Sequence, residues 1–306
     1  MLVRKKLIVI IFAAVIVSIV AFVGLSIPTP SSSNTTTISS NTTSLVNKTL
    51  DNYTGRIIHA TFDIEGKPES YIIPIDRALF DIKYGLDSKG NILSATVNLK
   101  PEYTNFYNQV GFFNRTANAV IVYPIFTQAA YGENGFYDYY YKTCDSRCLK
   151  VKIPDHIGLI YQTGGRAFAV LNLLKYDYVT DVDVDKNPDI LKKYDKVIML
   201  HNEYVTQKEF DAITSYPNVI YLYPNALYAK ITVNYTDDTI ALVRGHGYPD
   251  PSVLNGFNWK FDNSKYEYNI TCDNWEFYPI DNGKMLNCYP GFRIYFDKSL
   301  LQALIS

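Results

Sequence analysis

His201, Glu203 and Tyr204 stand together in the segment HNEYVT (201–206), directly after the apolar run KVIML (196–200). An imidazole, a carboxylate and a phenol at the end of a buried strand can move protons near neutral pH, and Glu203 with Tyr204 can offer oxygen donors to a metal ion. The same residues also suit caps and loop hydrogen bonds, and in a chain with 27 tyrosines among 306 residues a loop tyrosine alone carries little information. Three more segments follow apolar runs or allow close approach. PIFTQAAY (124–131) follows AVIVY (119–123), PNALY (224–228) with Asn225 follows VIYLY (219–223), and RGHGYP (244–249) brackets His246 with two glycines. Ligands of an open parallel sheet bind outside the carboxyl ends of its strands, so His201, Glu203, Tyr204, Asn225 and His246 form the candidate catalytic set.

The elements that must position these residues alternate. AVIVY, KVIML and VIYLY are short continuous apolar runs of the buried-strand kind, and 178–184 has strand character. Between them, 164–176 shows helical spacing at Phe168, Leu171 and Leu174, and Asn187-Pro188 supplies an N-cap and a first-turn proline for a short helix over 188–194. Thr206 and Glu209 read as a capping box opening a helix to about Ser215, and 300–305 reads as a terminal helix. Alternating β and α units with short connections predict an α/β fold over 118–306, a largely parallel sheet covered on both faces. Upstream, 55–117 reads as a small β module, with RIIHATFDI (56–64), 71–75, 78–84 and 92–99 as strands and a hairpin turn at Ser88-Lys89-Gly90-Asn91.

Other constellations are weaker. Asp181, Asp183 and Asp185 resemble the start of a calcium loop, but Lys186 replaces the turn glycine and Lys192 the closing glutamate, which leaves a solvated strand end. Gly164-Gly165-Arg166 precedes a helix without a dinucleotide or Walker pattern and reads as a turn. His59 and His156 have no acidic or cysteine neighbour at ligand spacing and read as ordinary surface or core histidines.

The N-terminus gives an address. Arg4, Lys5 and Lys6 precede an uncharged run over 7–25, long enough to cross the hydrocarbon core as a helix. The basic flank of 1–6 puts the N-terminus inside and the remainder outside. A cleaved signal peptide shares this flank, yet its apolar region is usually shorter and Ser26-Ile27-Pro28 is a poor cleavage site. Residues 26–54 are rich in Ser, Thr, Asn and Pro and read as a solvated stalk. Asn-x-Ser/Thr sequons stand at Asn34, Asn41, Asn47 and Asn52 in the stalk and at Asn114, Asn234 and Asn269 beyond it, the pattern of a glycosylated spacer. Cys144, Cys148, Cys272 and Cys288 then read as disulfides, most simply 144 with 148 and 272 with 288; zinc is disfavoured because no histidine lies at ligand spacing.

With 29 basic against 30 acidic residues, the chain lacks the basic face that nucleic-acid binding requires, and 47% hydrophobic residues exclude a disordered chain. Tyr137, Tyr139, Tyr140, Tyr141, Trp259, Tyr266, Tyr268 and Trp275 fall in loops or irregular stretches, where exposed rings would suit an envelope glycan or a surface-layer partner and buried ones would fill the core.

The run YDYVTDVDVDKNPDILKKYDKVIMLHNEYVTQKEFDAI, with NVIYLYPNALYA and TIALVRGHGYP after it, resembles the class I glutamine-amidotransferase-like domain at the C-terminus of the N,N-dimethylformamidase β subunit and of membrane-anchored archaeal surface proteins. The resemblance covers roughly 119–260 and implies a flavodoxin-like three-layer sandwich. Glutaminase chemistry would need a thiolate on a strand-to-helix elbow, and no cysteine occupies one. The formamidase family is similar in holding an iron through two tyrosinates and a glutamate, and Glu203 and Tyr204 match its strand-end motif best. The leading expectation is therefore a membrane-anchored extracytoplasmic protein with a non-catalytic binding or structural role at the cell envelope. The alternative is a metal-dependent amidohydrolase working at Glu203 and Tyr204.

Overall fold

The computed structural model describes residues 23–24, 57–64, 67–86, 92–113 and 118–306. Contacts divide the chain into two compact units, Met1–Thr104 and Asn105–Ser306. In the first, β1 (Val23–Gly24) pairs with β2 (Ile57–Ile64), and β2 pairs along its whole length with β3 (Lys67–Pro74), both antiparallel. β4 (Phe80–Leu86) and β5 (Ile92–Leu99) form an antiparallel hairpin, as their alternation predicts; its expected turn at 88–91 lies outside the described residues. Of the apolar run 7–25 only Val23 and Gly24 are described, and they are extended rather than helical. Among the described residues no helix is long and apolar enough to cross a membrane. The stalk and its four sequons, and Asn114, also lie outside them.

The second unit opens with a helix where strands were expected. α1 (Thr104–Val110) buries Phe106, Tyr107 and Val110, a spacing that places all three on one helical face. Next comes a mixed sheet. Five strands run parallel in the order β8 (Asp177–Thr180), β6 (Ala119–Tyr123), β9 (Lys196–Met199), β11 (Val219–Tyr221) and β15 (Gly283–Leu286), and β14 (Phe277–Ile280) closes the β15 edge antiparallel. Every residue of β6 is buried, as are Val197, Ile198 and Met199 of β9. Successive strand side chains point to opposite faces, so both faces of the sheet centre are covered, as continuous apolar runs predict. Val120, Val122, Val197, Met199, Val219 and Tyr221 pack on one face with Val184, Leu191 and Ile213.

The chain order of the strands reverses between β6 and β9, whose carboxyl ends therefore flank a crevice. Into that crevice side stands a second sheet that the sequence did not suggest: β10 (Tyr204–Val205), β12 (Ala229–Asn234), β13 (Thr239–Arg244) and β7 (Lys150–Lys152). It packs Ile231, Ile240, Leu242 and Val151 against α2 (Ile125–Ala130) and α3 (Phe136–Tyr140) through Phe126, Ala129, Ala130 and Phe136.

Three local expectations change. Residues 181–186 are not a solvated strand end but α5 (Asp181–Lys186), opened by a reciprocal capping box between Thr180 and Asp183, and Asp181 is fully buried. The turn after it is a 3-10 helix, Pro188–Lys193, with proline at its start but no side-chain cap from Asn187. α6 (Gln207–Ser215) takes only half of its expected box: Thr206 Oγ1 accepts from the Glu209 N–H at 3.0 Å, while both Glu209 carboxylate oxygens are buried without a partner. The helix over 164–176 forms as α4 (Gly165–Leu173), with Gly164 left-handed at its cap, and the terminal helix as α7 (Lys298–Ile305). Disulfides join Cys144 to Cys148 and Cys272 to Cys288, the second spanning the β14–β15 hairpin.

Candidate active site

β9 delivers the chain to the crevice, and backbone hydrogen bonds hold 201–204 there. Thr127 Oγ1, from α2 after β6, accepts the N–H groups of Glu203 at 3.0 Å and Tyr204 at 3.3 Å. The Glu203 carbonyl accepts from Tyr228 and Ala229, and the Asn202 carbonyl from Leu227. α2 is itself fixed at its start, because Asp181 accepts the N–H groups of Ile125 at 3.1 Å and Phe126 at 2.9 Å. The carboxylates that mimicked a calcium loop are thus used by the fold: Asp181 here, Asp183 in its cap, and Asp185 accepting from Thr206 and Tyr235.

Glu203 is the centre of the site and is fully buried. Its Oε1 lies 3.0 Å from His246 Nδ1, and the Tyr137 hydroxyl donates to Oε1 at 3.2 Å and Oε2 at 3.3 Å. Burial by itself would push this carboxyl up, but the His246 hydrogen bond and charge, with a hydrogen bond from Tyr131, hold it below its ordinary value. Glu203 is therefore a carboxylate at neutral pH.

Two phenols meet it from the turn joining α2 to α3. Tyr131, at the end of α2, and Tyr137, in α3, stack with ring centroids 3.9 Å apart, and their hydroxyls are 2.5 Å from each other. Burial first and the Glu203 charge second push both phenols well above their ordinary value. The Cys144–Cys148 disulfide follows α3 directly, and the Thr143 and Cys144 N–H groups bond back to the Asp138 carbonyl, tying down the helix that carries Tyr137.

His246 sits on a strained backbone. Its φ is +53° between Gly245 at +107° and Gly247 at +73°, a left-handed run that non-glycine residues rarely adopt. A Cβ on Gly245 would lie 2.8 Å from the Gly256 nitrogen and 2.9 Å from the Ala229 Cα, which is the close approach expected of this glycine. The reward for the strain is placement: the ring stacks on Tyr140 at 4.3 Å, meets the Tyr204 hydroxyl at 2.8 Å and covers Glu203, with its own side chain 28% exposed at the mouth.

The five sequence candidates converge. His201 and Asn225 are buried, with Asn225 at φ +60°. Burial lowers the His201 ring's value, so the imidazole is neutral, and its Nδ1 faces the Gln162 carbonyl. Tyr204 turns its hydroxyl to His246, and Phe136 packs on its ring. The sequence missed Tyr131, Tyr137, Tyr140 and Glu267. Burial and the Glu203 charge push the Glu267 carboxyl up to about 7, moderated by a hydrogen bond from Asn225.

The oxygen-rich centre suits a hard metal ion. Two phenols and an ionised carboxylate already touch one another, whereas no group of three or more His, Cys, Asp or Glu is placed to hold a metal among the described residues. All four cysteines are disulfide-bonded, so no thiolate is available as a nucleophile.

The remaining candidates fall elsewhere. His156 is exposed beside Asp155, His59 lies in β2, and Arg166 lies over the Phe292 ring. Asn234 and Asn269 are exposed, and their side-chain amides donate to Asp237 and to the Asn287 carbonyl. Trp259 packs against Phe210, Tyr221 and Phe261, and the Trp275 indole N–H donates to Asp297. No family model matches the chain, and no curated protein matches it.

Proposed function

We propose that this protein is a metal-dependent hydrolase of amide-type C–N bonds, with Tyr131, Tyr137 and Glu203 holding the metal. The observation that carries this reading is two stacked phenols whose hydroxyls meet, with the Tyr137 hydroxyl donating to both oxygens of a fully buried carboxylate that Tyr131 also hydrogen-bonds. The phenol–phenol–carboxylate set matches what the resemblance to the N,N-dimethylformamidase β subunit implies for iron, with Tyr131 and Tyr137 rather than Tyr204 beside Glu203. The strand order around β6 and β9 also supports a flavodoxin-like, glutamine-amidotransferase-like architecture for this unit.

A metal bound there supplies a Lewis acid and a water acidified enough to attack a carbonyl carbon at neutral pH. The protein's own groups complete the chemistry. His201 is neutral, so its Nε2 lone pair can take a proton from the attacking water. His246 keeps Glu203 ionised and oriented through Nδ1. Glu267, titrating near 7, can pass a proton to the departing nitrogen and recover it.

The uncharged run 7–25 behind three basic residues, followed by the sequon-rich stalk, supports an anchored location with this unit outside the membrane. Elemental analysis and visible absorption of the full chain test the metal. About one iron per chain is expected, with a phenolate charge-transfer band that Tyr137→Phe weakens and the double variant Tyr131→Phe/Tyr137→Phe removes. Folded, metal-free protein would defeat the hydrolase reading and leave the non-catalytic envelope role, with a glycan or surface-layer partner.

A further inference from the structure

The two disulfides differ in access. Cys272 and Cys288 are both fully buried, whereas Cys144 is half-buried, Cys148 is 4% exposed, and Thr143, Asp145, Ser146 and Arg147 around them are exposed. Thiol–disulfide exchange requires an attacking thiolate to reach one sulfur, so in the folded protein the first bond is open to a reductant and the second is closed to one. They also differ in what they join. Cys144 ends the turn that follows α3, its N–H bonded to the Asp138 carbonyl. Cys148 lies in the 3-10 turn Ser146–Leu149, which runs straight into β7. β7 pairs with β13, Val151 opposite Ile240, and β13 leads into Gly245 and His246. One side of the bond therefore carries Tyr137 and Tyr140, and the other belongs to the sheet that delivers His246. α3 has five residues, too few to hold a helix by their own hydrogen bonds, and its buried side chain is Phe136. The chain that follows bonds locally, Thr143 to Asp138 and Arg147 to Asp145.

We propose that Cys144–Cys148 is a redox switch on the site, opened by an external dithiol. A thiolate of the dithiol attacks Cys144 Sγ, the S–S bond breaks, and Cys148 leaves as a thiolate. The second thiol of the reductant then displaces Cys144 and closes the reductant into its own disulfide, so two electrons and two protons pass to the cysteine pair. Reduction frees α3 from β7, and with it the contact of Tyr137 with Glu203 and the stacking of Tyr140 on His246. The switch is a property of the fold and does not rest on the hydrolase reading above; the activity it would control does.

The test is a titration of the native full chain with dithiothreitol, followed by alkylation and peptide mass spectrometry, with amide hydrogen exchange and metal analysis on the same samples. Cys144 and Cys148 are expected to label at a reductant concentration at least about tenfold below that needed for Cys272 and Cys288. At that point the amides of 136–144 should exchange at least about tenfold faster, those of β14 and β15 should not change, and reoxidation should restore the slow rate. The double variant Cys144→Ser/Cys148→Ser should exchange like the reduced protein; if it does not fold, the titration of the parent still decides. Labelling of all four cysteines together, no labelling short of global unfolding, or selective labelling with unchanged exchange at 136–144 overturns the proposal. Metal-free protein whose α3 exchange still switches keeps this proposal and defeats the hydrolase reading, whereas metal-loaded protein with α3 unmoved does the reverse.

Discussion

Two glutamates of the second unit are fully buried, and they behave oppositely. Glu203 is surrounded by groups that stabilise its charge: His246 Nδ1 at 3.0 Å and the Tyr137 hydroxyl on both oxygens, with His201 and Tyr131 close by. Its carboxyl is held low. Glu209, at the start of α6, has no hydrogen bond to either oxygen and faces Asp181 and Asp185. Burial first and those two carboxylates second push it well up, and Asp181 rises with it. Burial penalises both charges alike, so the difference lies in the partners. A carboxylate kept ionised without a basic residue locked against it on every side is prepared for a ligand. One left to protonate is a piece of core.

The largest effect that separates them is on metal occupancy. Glu203→Gln removes the single formal negative charge of the phenol–phenol–carboxylate set and should lower metal affinity by about a hundredfold or more, read as lost iron and lost visible absorption. Glu209→Gln should keep both. Next comes proton release. Tyr131 and Tyr137 are protonated well past neutral pH in the free protein, so binding a metal through both oxygens must expel two protons. Apparent affinity should then rise by up to about a hundredfold per pH unit below the phenols' range, measured by competition with a chelator at pH 6, 7 and 8. A flat profile would mean that the tyrosines are not ligands.

The two carboxyls also tilt stability in opposite directions. Glu203, depressed in the folded state, stabilises above its unfolded value near 4.3 and loses that contribution as pH falls through its folded value. Glu209, raised in the folded state, costs stability as pH rises above about 4.3. Thermal melts should show Glu209→Gln gaining on the parent protein from pH 4.5 to 7 by roughly 1–3 kcal/mol. Glu203→Gln should run nearly parallel to the parent over that interval, and its deficit should close only below about 4.3, as pH falls toward the folded value of Glu203. Matching slopes for the two variants would contradict the contrast.

How much of this was legible differs by element. The strand-end rule located His201, Glu203, Tyr204 and Asn225 because apolar runs such as KVIML announce where a buried strand stops, and His246 stood out by the two glycines that bracket it. It also selected the segment that ends in Tyr131. What one sequence did not show is that α2 and α3 fold back so that Tyr137 stacks on Tyr131; that needs the packing of Phe126 and Phe136 on the second sheet. The second sheet was itself invisible, because β10 has two residues and β7 three, too short to show a period. Tyr137 and Tyr140 were read only as loop aromatics, a class in which 27 tyrosines hide two. Glu209 misled in a different way. Its spacing from Thr206 fits a capping box, but burial beside Asp181 decided where its side chain went.

Glu267 had no sequence signal, since it lies in irregular chain just past a short 3-10 turn, Ser264–Tyr266. It sharpens the comparison because it is raised, like Glu209, by burial first, yet next by Glu203 itself, which places it within the site's field. Glu267→Gln should leave metal bound and remove the alkaline limb near 7 from any kcat profile, because the group that gives its proton there would no longer take part. The effect on stability is smaller than for Glu209. The folded-state value near 7 exceeds the unfolded one near 4.3, so the parent protein loses stability as pH rises between them, and the glutamine variant escapes that loss. Melts at pH 5 and 7.5 should show a relative gain of about 1 kcal/mol for Glu267→Gln at the higher pH, reduced by the partial solvent exposure of the site. If Glu203→Gln is made first, Glu267 loses the neighbouring charge that helps raise it, and the gain from Glu267→Gln should shrink. Additive melts in the double variant would show instead that the two carboxyls do not sense each other.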